Sequence, residues 1–376
     1  MDPFLSWARR NQPKLIQLIR ELVECESPSD SPEALRRFTR LLGKAAADIA
    51  VVRTAPNRAL ICKFKLPGAR KQGQVLALGH ADTVWPRGTL KNMQYRRGQG
   101  RLWGPGVLDM KAGLAFFLFA MRALRELDIP VAHEVLLLVN PDEETGSKSS
   151  RAGTEALARK SKAVLVLEPG TGLEGKLKTA RKGIGAYRVK VRGVAAHAGV
   201  DFSRGASAVV EISKQIERIA AFTDLARGVT VNPGVIFGGT RSNVIAAEAS
   251  AEVDIRVPRP LDARWLDRKF RALKPFDRRC SLEVTGGLNR PPMERGNGAI
   301  ALFTLARKLA CELGVELEES STGGGSDGNF TAALGIPTLD GIGAVGEGAH
   351  AAHESILIER IPDRVALLAK LTAAIS

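Results

Sequence analysis

Apolar residues recur every three to four positions over residues 4–24 and again over 31–48, the spacing that buries one face of a helix. The second stretch is entered through the turn-rich SPSDSPE, a helix-start signal. Four short apolar runs of strand character follow, ALICKFKL, QVLALGH, EVLLLVNPDEE and AVLVLEP, with helical periodicity between the last three over 111–127 and 149–160. Strands that alternate with helices in this way predict a mostly parallel sheet covered by helices.

The texture changes after Gly175. In AYRVKVRG, Tyr187, Val189 and Val191 alternate with Arg188, Lys190 and Arg192, the pattern of an antiparallel strand with one face in water. A helical stretch at 204–222 and the strand-like VTVNPGVIFGG, AEASAEVDIRV and SLEVTGG complete a small α+β unit. From about residue 290 the α/β texture returns, with a helix at 298–313, the turn STGGGSDG, the strand TLDGIG and a final helix. The expected organisation is an α/β domain from residues 1–177 and 290–376, interrupted by an inserted α+β domain at 178–289.

Length and composition agree with that picture. A chain of 376 residues, 44% hydrophobic and 25% charged, buries one large core or two smaller ones. The longest apolar runs, Leu114 to Met121 and Leu136 to Val139, are too short to span a bilayer. The N-terminal segment carries charges through its apolar positions, unlike a secretion signal. Cys25, Cys62, Cys280 and Cys311 form no CxxC or Cys/His cluster, which argues against a disulfide framework or thiolate zinc site and fits a reducing compartment. A cytoplasmic protein with no membrane partner is expected. The net charge of +15 raises nucleic acid as a partner, but the basic residues are dispersed and aromatics reach only 5%. A solvated basic surface that steers anionic substrates is the simpler reading.

His80, Asp109, Glu143, Glu144, Glu168 and His350 each follow a short apolar run or sit in a Gly-rich turn. Side chains at strand ends converge on the crevice outside the carboxyl edge of an α/β sheet. In LGHADTVWP, Asp82 stands two residues after His80, placed to accept the imidazole's second N–H; a His–Asp pair closing a turn reads the same. Asp109, in WGPGVLDMKAG, also suits a helix N-cap. In NPDEETGS the neighbouring carboxylates of Glu143 and Glu144 point opposite ways if extended, one toward metal and the other toward substrate. Glu168 in VLVLEPG repeats the strand-end pattern, and GEGAHAAHES offers both His350 and His353.

The order His-x-Asp, Asp, Glu-Glu, Glu, His resembles, from about residue 10 to the C-terminus, the two-zinc aminoacylase and peptidase family. That family includes acetylornithine deacetylase, succinyl-diaminopimelate desuccinylase and the glutamate carboxypeptidases of the carboxypeptidase G type. The resemblance implies a two-zinc α/β catalytic domain with a mixed, mostly parallel sheet, and an inserted ferredoxin-like lid through which a homodimer forms. It places His80 and Glu168 on one Zn²⁺, Glu144 and His350 on the other, Asp109 as the bridge and Glu143 as general base, with Asp82 supporting catalysis. Co²⁺ or Mn²⁺ are the expected substitutes. It also implies a cis peptide between Asp109 and Met110. His350 is favoured over His353 because it stands four residues before Glu354, although the carboxypeptidase G type carries one more residue there. VAAHAG resembles the family's Ser-His-Ala-Gly segment, with Ala196 in place of Ser, and makes His197 an oxyanion donor.

GKLKTARKG, GGTRSNVIA, AEVDIRVPR and STGGGSDG resemble the carboxypeptidase G segments, which carries substrate recognition to Lys176, Asn243, Arg256 and Gly324. The expected activity is zinc-dependent release of a C-terminal amino acid, glutamate above all, from a small acyl or peptidyl substrate. The alternatives are an N-acyl amino acid deacylase or a dipeptidase with the same ligands and, in a different class, a non-catalytic basic dimer that binds nucleic acid.

Overall fold

A computed structural model describes residues 2–68 and 71–375, which fall into two compact units. The first comprises residues 1–180, 295–322 and 326–376; the second, residues 181–294 and 323–325.

The first unit is α/β with a mixed six-stranded sheet. Its strands Glu134–Asn140, Gln74–His80, Ser161–Val166 and Thr338–Leu339 run parallel, in that order. Leu60–Phe64 and then Ala50–Thr54 extend the sheet antiparallel. Ala50–Thr54, whose AVVRT sequence is largely exposed, goes unrecognised in the sequence because its short apolar stretch, residues 49–52, follows directly on the helical pattern of 31–48. Gln74–His80 is buried throughout because helices cover both faces. Val75 and Ala77 join the larger core with the helices Pro3–Glu24, Ala112–Glu126 and Ile361–Ala374, while Leu76 and Leu78 join a separate cluster on the opposite face. Alternation along a strand makes this division. The helix Ala112–Glu126 starts close to the end of the strand Ser161–Val166. A Cβ on Gly113 would lie 2.2 Å from the Leu167 carbonyl oxygen, so only glycine permits the approach.

The second unit follows a β-α-β-β-α-β order, the connectivity of a ferredoxin-like unit. Its antiparallel strands lie in the order Thr230–Gly238, Glu248–Val257, Gly183–Arg192, Ser281–Arg290. Tyr187, Val189 and Val191 pack on the helices Ala208–Ala220 and Pro260–Arg271 through Ile212, Ile219, Leu266 and Phe270. Arg188 and Arg192 on the opposite face are exposed, as the alternation predicts. Among the described residues, no helix is long and apolar enough to cross a membrane.

Candidate metal centre

His80 closes the strand Gln74–His80, and Glu168 lies two residues past its parallel neighbour Ser161–Val166. Glu143 and Glu144 follow Glu134–Asn140, the strand on the other flank. Three adjacent carboxyl ends thus deliver four polar side chains to one edge. Asp109 comes from the irregular turn at 107–111 that leads into Ala112–Glu126, and its peptide bond to Met110 is cis. His350 stands in the loop after Gly346–Glu347 with φ of 63°.

These residues meet around Asp109. His80 Nε2 lies 3.0 Å from Asp109 Oδ1 and 3.6 Å from Glu168 Oε1. Asp109 Oδ2 lies 3.4 Å from His350 Nε2, which is 3.3 Å from Glu144 Oε1. One carboxylate therefore faces two groups with its two oxygens. The groups are His80, Asp109 and Glu168, and Asp109, Glu144 and His350, the donor atoms in each lying within 4.8 Å of one another. Each set of oxygen and imidazole donors suits a divalent cation with open positions, as in catalytic zinc sites. Glu144 Oε1 supports that fit, since it is buried and lacks a hydrogen-bond partner among the described residues, its approach to His350 being off hydrogen-bond geometry. A buried carboxylate oxygen without a hydrogen-bond donor is expensive unless a cation, whether the charged imidazole beside it or a metal, offsets it.

The electrostatics have the same sense. Burial works against charge on His80, yet the Asp109 and Asp82 carboxylates hold its pKa well above the ordinary imidazole value. The carboxylates of Asp109 and Glu144, in that order, lift His350 to about 10. Burial opposes ionisation of Asp109, but His350 and His80 outweigh it and keep the carboxyl well below its usual range. The carboxylates thus demand positive charge, which protons on the imidazoles supply and which a metal would replace with proton release.

Buried residues around the centre hold it in place. Asp82, expected to receive the second imidazole N–H through its carboxylate, is oriented differently: His80 Nδ1 lies 2.8 Å from the Asp82 main-chain carbonyl and 3.5 Å from its carboxylate. The carboxylate instead accepts from the backbone N–H groups of Glu143 and Glu144, each at 3.1 Å, and from Ser29 Oγ at 2.9 Å. It thereby clamps the turn that carries the two glutamates. Asp327 braces the same turn from below, accepting from Asn140 Nδ2 at 2.6 Å and Ser147 Oγ at 2.5 Å. Glu354, read in the sequence only as a spacing mark for His350, accepts from Trp85 Nε1, Gly106 N, Leu108 N and Asp109 N at 2.8–3.1 Å. Burial pushes its pKa up against those N–H donors. Neither Asp327 nor Glu354 carries a local sequence signal, because their partners are far away along the chain.

The remaining expected residues are less concentrated. His353 is exposed and absent from both donor groups. In the second unit His197 and Asn243 are exposed neighbours: Ala196–His197 pairs with Val244–Ile245, and Ala198 N donates to Asn243 O at 3.0 Å. Arg256 does not present the free fork that carboxylate recognition requires. Its Nε and Nη2 grip Asp254 at 2.8 and 3.0 Å, and Nη1 donates to Gly323 O at 3.2 Å. Gly324 offers its carbonyl to Arg181 Nη1 at 3.2 Å. Lys176 lies in the first unit, its Nζ 2.5 Å from Glu318 Oε2 at the surface.

Comparison with known proteins agrees with this arrangement. The chain is similar to carboxypeptidase G2 of Pseudomonas sp. (strain RS-16), with 29% identity over 97% of this chain and 90% of that protein. Its fold is similar to that of aminopeptidase PepT from Bacillus cereus ATCC 10987, with a TM-score of 0.78 at 24% identity over 97% of this chain and 99% of the other. It is also similar to that of the Bacillus subtilis YXEP protein, a dinuclear metal-binding peptidase of the M20 family, with a TM-score of 0.68 at 13% identity over 97% and 98%. The description of peptidase family M20/M25/M40 matches residues 76–374, and the chain belongs to that family.

Proposed function

We propose that this chain is a two-zinc amide hydrolase that releases a C-terminal amino acid, glutamate above all, from an acyl or peptidyl amine. The observation that carries the reading is Asp109, whose two oxygens face two separate His/Glu pairs, the disposition of a bridging ligand. His80, Asp109 and Glu168 would hold one ion and Asp109, Glu144 and His350 the other. The metals, when bound, would polarise the scissile carbonyl and lower the pKa of attacking water.

Glu143 is the general base in this reading. Its neighbour Glu144 is committed to the metal side, and the Asp82 clamp on both backbone N–H groups fixes the turn so that the two side chains keep separate tasks. Glu143 accepts the proton of the attacking water and returns it to the leaving nitrogen. His197 of the second unit donates to the oxyanion. That unit is assigned the lid and the dimer contact. Its edge strand Thr230–Gly238 exposes Val235, Ile236 and Phe237, an apolar edge of the kind that pairs with another chain.

The preference for glutamate is supported by likeness to carboxypeptidase G2 and by Lys176, Asn243 and Arg256 in a chain of net charge +15, which attracts a dicarboxylate. The ion pairs Arg256–Asp254 and Lys176–Glu318 favour the second reading, a general N-acyl amino acid deacylase or dipeptidase. A panel of N-acyl conjugates with one leaving-group chemistry separates the two. The glutamate conjugate is expected to have the highest kcat/KM, with Lys176→Ala lowering it selectively. Equal cleavage of alanine or leucine conjugates assigns the general deacylase instead.

A further inference from the structure

We infer that Glu354 is a positioning residue that sets the spacing between Asp109 and His350, an inference that rests on the metal-centre reading above. Glu354 is fully buried, and its backbone belongs to the His350 loop, closing the turn with Glu354 N to Ala351 O at 2.9 Å. Just beyond it, the strand Ser355–Leu357 pairs with Arg101–Trp103, Ser355 opposite Trp103. This register presents the Glu354 side chain to the loop that continues from Trp103 to Asp109. Its Oε1 takes Leu108 N at 2.8 Å and Asp109 N at 3.1 Å; its Oε2 takes Gly106 N and Trp85 Nε1, each at 2.9 Å.

All four contacts are donors, two to each oxygen. Only an ionised carboxylate satisfies such a set, since an amide or a protonated acid turns a hydrogen toward one pair. The side chain therefore ties the backbone of one proposed ligand to the loop of the other, and Asp109 Oδ2 lies 3.4 Å from His350 Nε2 across that tie. Buried groups that orient ligands in this way typically govern metal affinity by about ten- to a hundredfold. Glu354→Gln keeps the volume but leaves two buried N–H donors unmet, whereas Glu354→Asp keeps an acceptor-only group on a shorter arm.

The test is calorimetric titration of chelator-stripped protein with Zn²⁺, alongside kinetics of the reloaded enzyme and melting of the stripped protein. E354Q is expected to weaken at least one zinc site by about tenfold or more and to lower kcat with KM near the wild-type value. Its metal-free form should melt a few degrees below wild type, the cost of two unmet buried donors, and E354D should recover part of that loss and part of the affinity. Zinc affinity and kcat within about twofold of wild type overturn the inference, as does a loss of metal-free stability that E354D fails to repair. If E354Q does not fold, Trp85→Phe decides: removing one of the four donors is expected to weaken zinc by about two- to tenfold, and unchanged affinity overturns the inference. Wild-type protein that takes up no Zn²⁺ overturns the metal-centre reading itself, a result distinct from a wild type that binds zinc no better than E354Q.

Discussion

Asp82 and Arg256 are charged residues with two or more hydrogen bonds each, and their settings separate the two units. The Asp82 side chain is wholly buried and grips backbone N–H groups about sixty residues away. Arg256 is about a third exposed and grips Asp254, two residues earlier on its own strand. A buried long-range clamp sets a geometry before any ligand arrives, and its loss leaves unmet polar groups in the interior. A local pair at the surface contributes little and must give way before its guanidinium can hold a substrate carboxylate. The proposed chemistry is therefore preorganised in the first unit, while carboxylate recognition through Arg256 would require exchanging Asp254 for the substrate.

The sharpest way to break that comparison is to remove the centre's shared ligand and the proposed base separately. Asp109→Ala is expected to lose metal together with essentially all turnover. Glu143→Ala should keep metal while kcat falls by about 10²–10⁴. Elemental analysis of both purified variants with single-substrate kinetics checks this, and equal metal loss in the two removes Glu143 from the base role. A smaller effect is expected at Arg256. Arg256→Ala should raise KM about ten- to a hundredfold for every substrate with a free carboxylate, the value of about 1.5–3 kcal/mol for a charge-assisted contact. Asp254→Asn should lower KM by releasing the fork. Unchanged KM in both variants makes the pair structural and leaves carboxylate recognition to other residues.

The smallest effect belongs to Glu319. It pairs bidentately with Arg295 at 2.8 and 2.7 Å and accepts from Thr179 Oγ1 at 2.7 Å, and Arg295 first, then Thr179, lower its pKa to about 2. A depressed carboxylate adds stability above its unfolded pKa and loses it as pH falls through the folded one. The contribution is thus present at neutral pH and fades between about 4.5 and 2. Because the pair is partly exposed, Glu319→Gln should cost no more than about 1 kcal/mol at pH 7 and nothing near pH 2. Denaturant melts at the two pH values measure the difference, and an equal cost at both contradicts this account of the pair.

The grouping of His80, Asp109, Glu144, Glu168 and His350 was legible because each follows a strand or turn with a strong local pattern, and parallel strands bring their ends to one edge. The alternation of Tyr187, Val189 and Val191 showed the buried face of the second unit for the same reason. The bracing was not legible. Glu354 reaches Asp109 across 245 positions and Asp327 reaches Asn140 across 187, distances at which no periodicity operates. The division of labour at Asp82 was not legible: its main-chain carbonyl takes the imidazole at 2.8 Å, while its carboxylate, 3.5 Å from the ring, also holds the glutamate turn. Arg256 read as a carboxylate receptor through its likeness to the carboxypeptidase G segments, and its grip on Asp254, two residues earlier on the same strand, has no signal in the sequence beyond the salt pairing common to a Lys/Arg-rich surface.

The central claim is that two divalent ions sit on the two sides of Asp109 and that amide hydrolysis depends on them. It is tested most directly by stripping the protein with a chelator and titrating Zn²⁺ back while counting bound metal and following hydrolysis of an N-acyl glutamate. The account predicts about two ions per chain, with activity restored as both sites fill. Binding of a single ion with full activity, or full activity in the stripped protein, would contradict it.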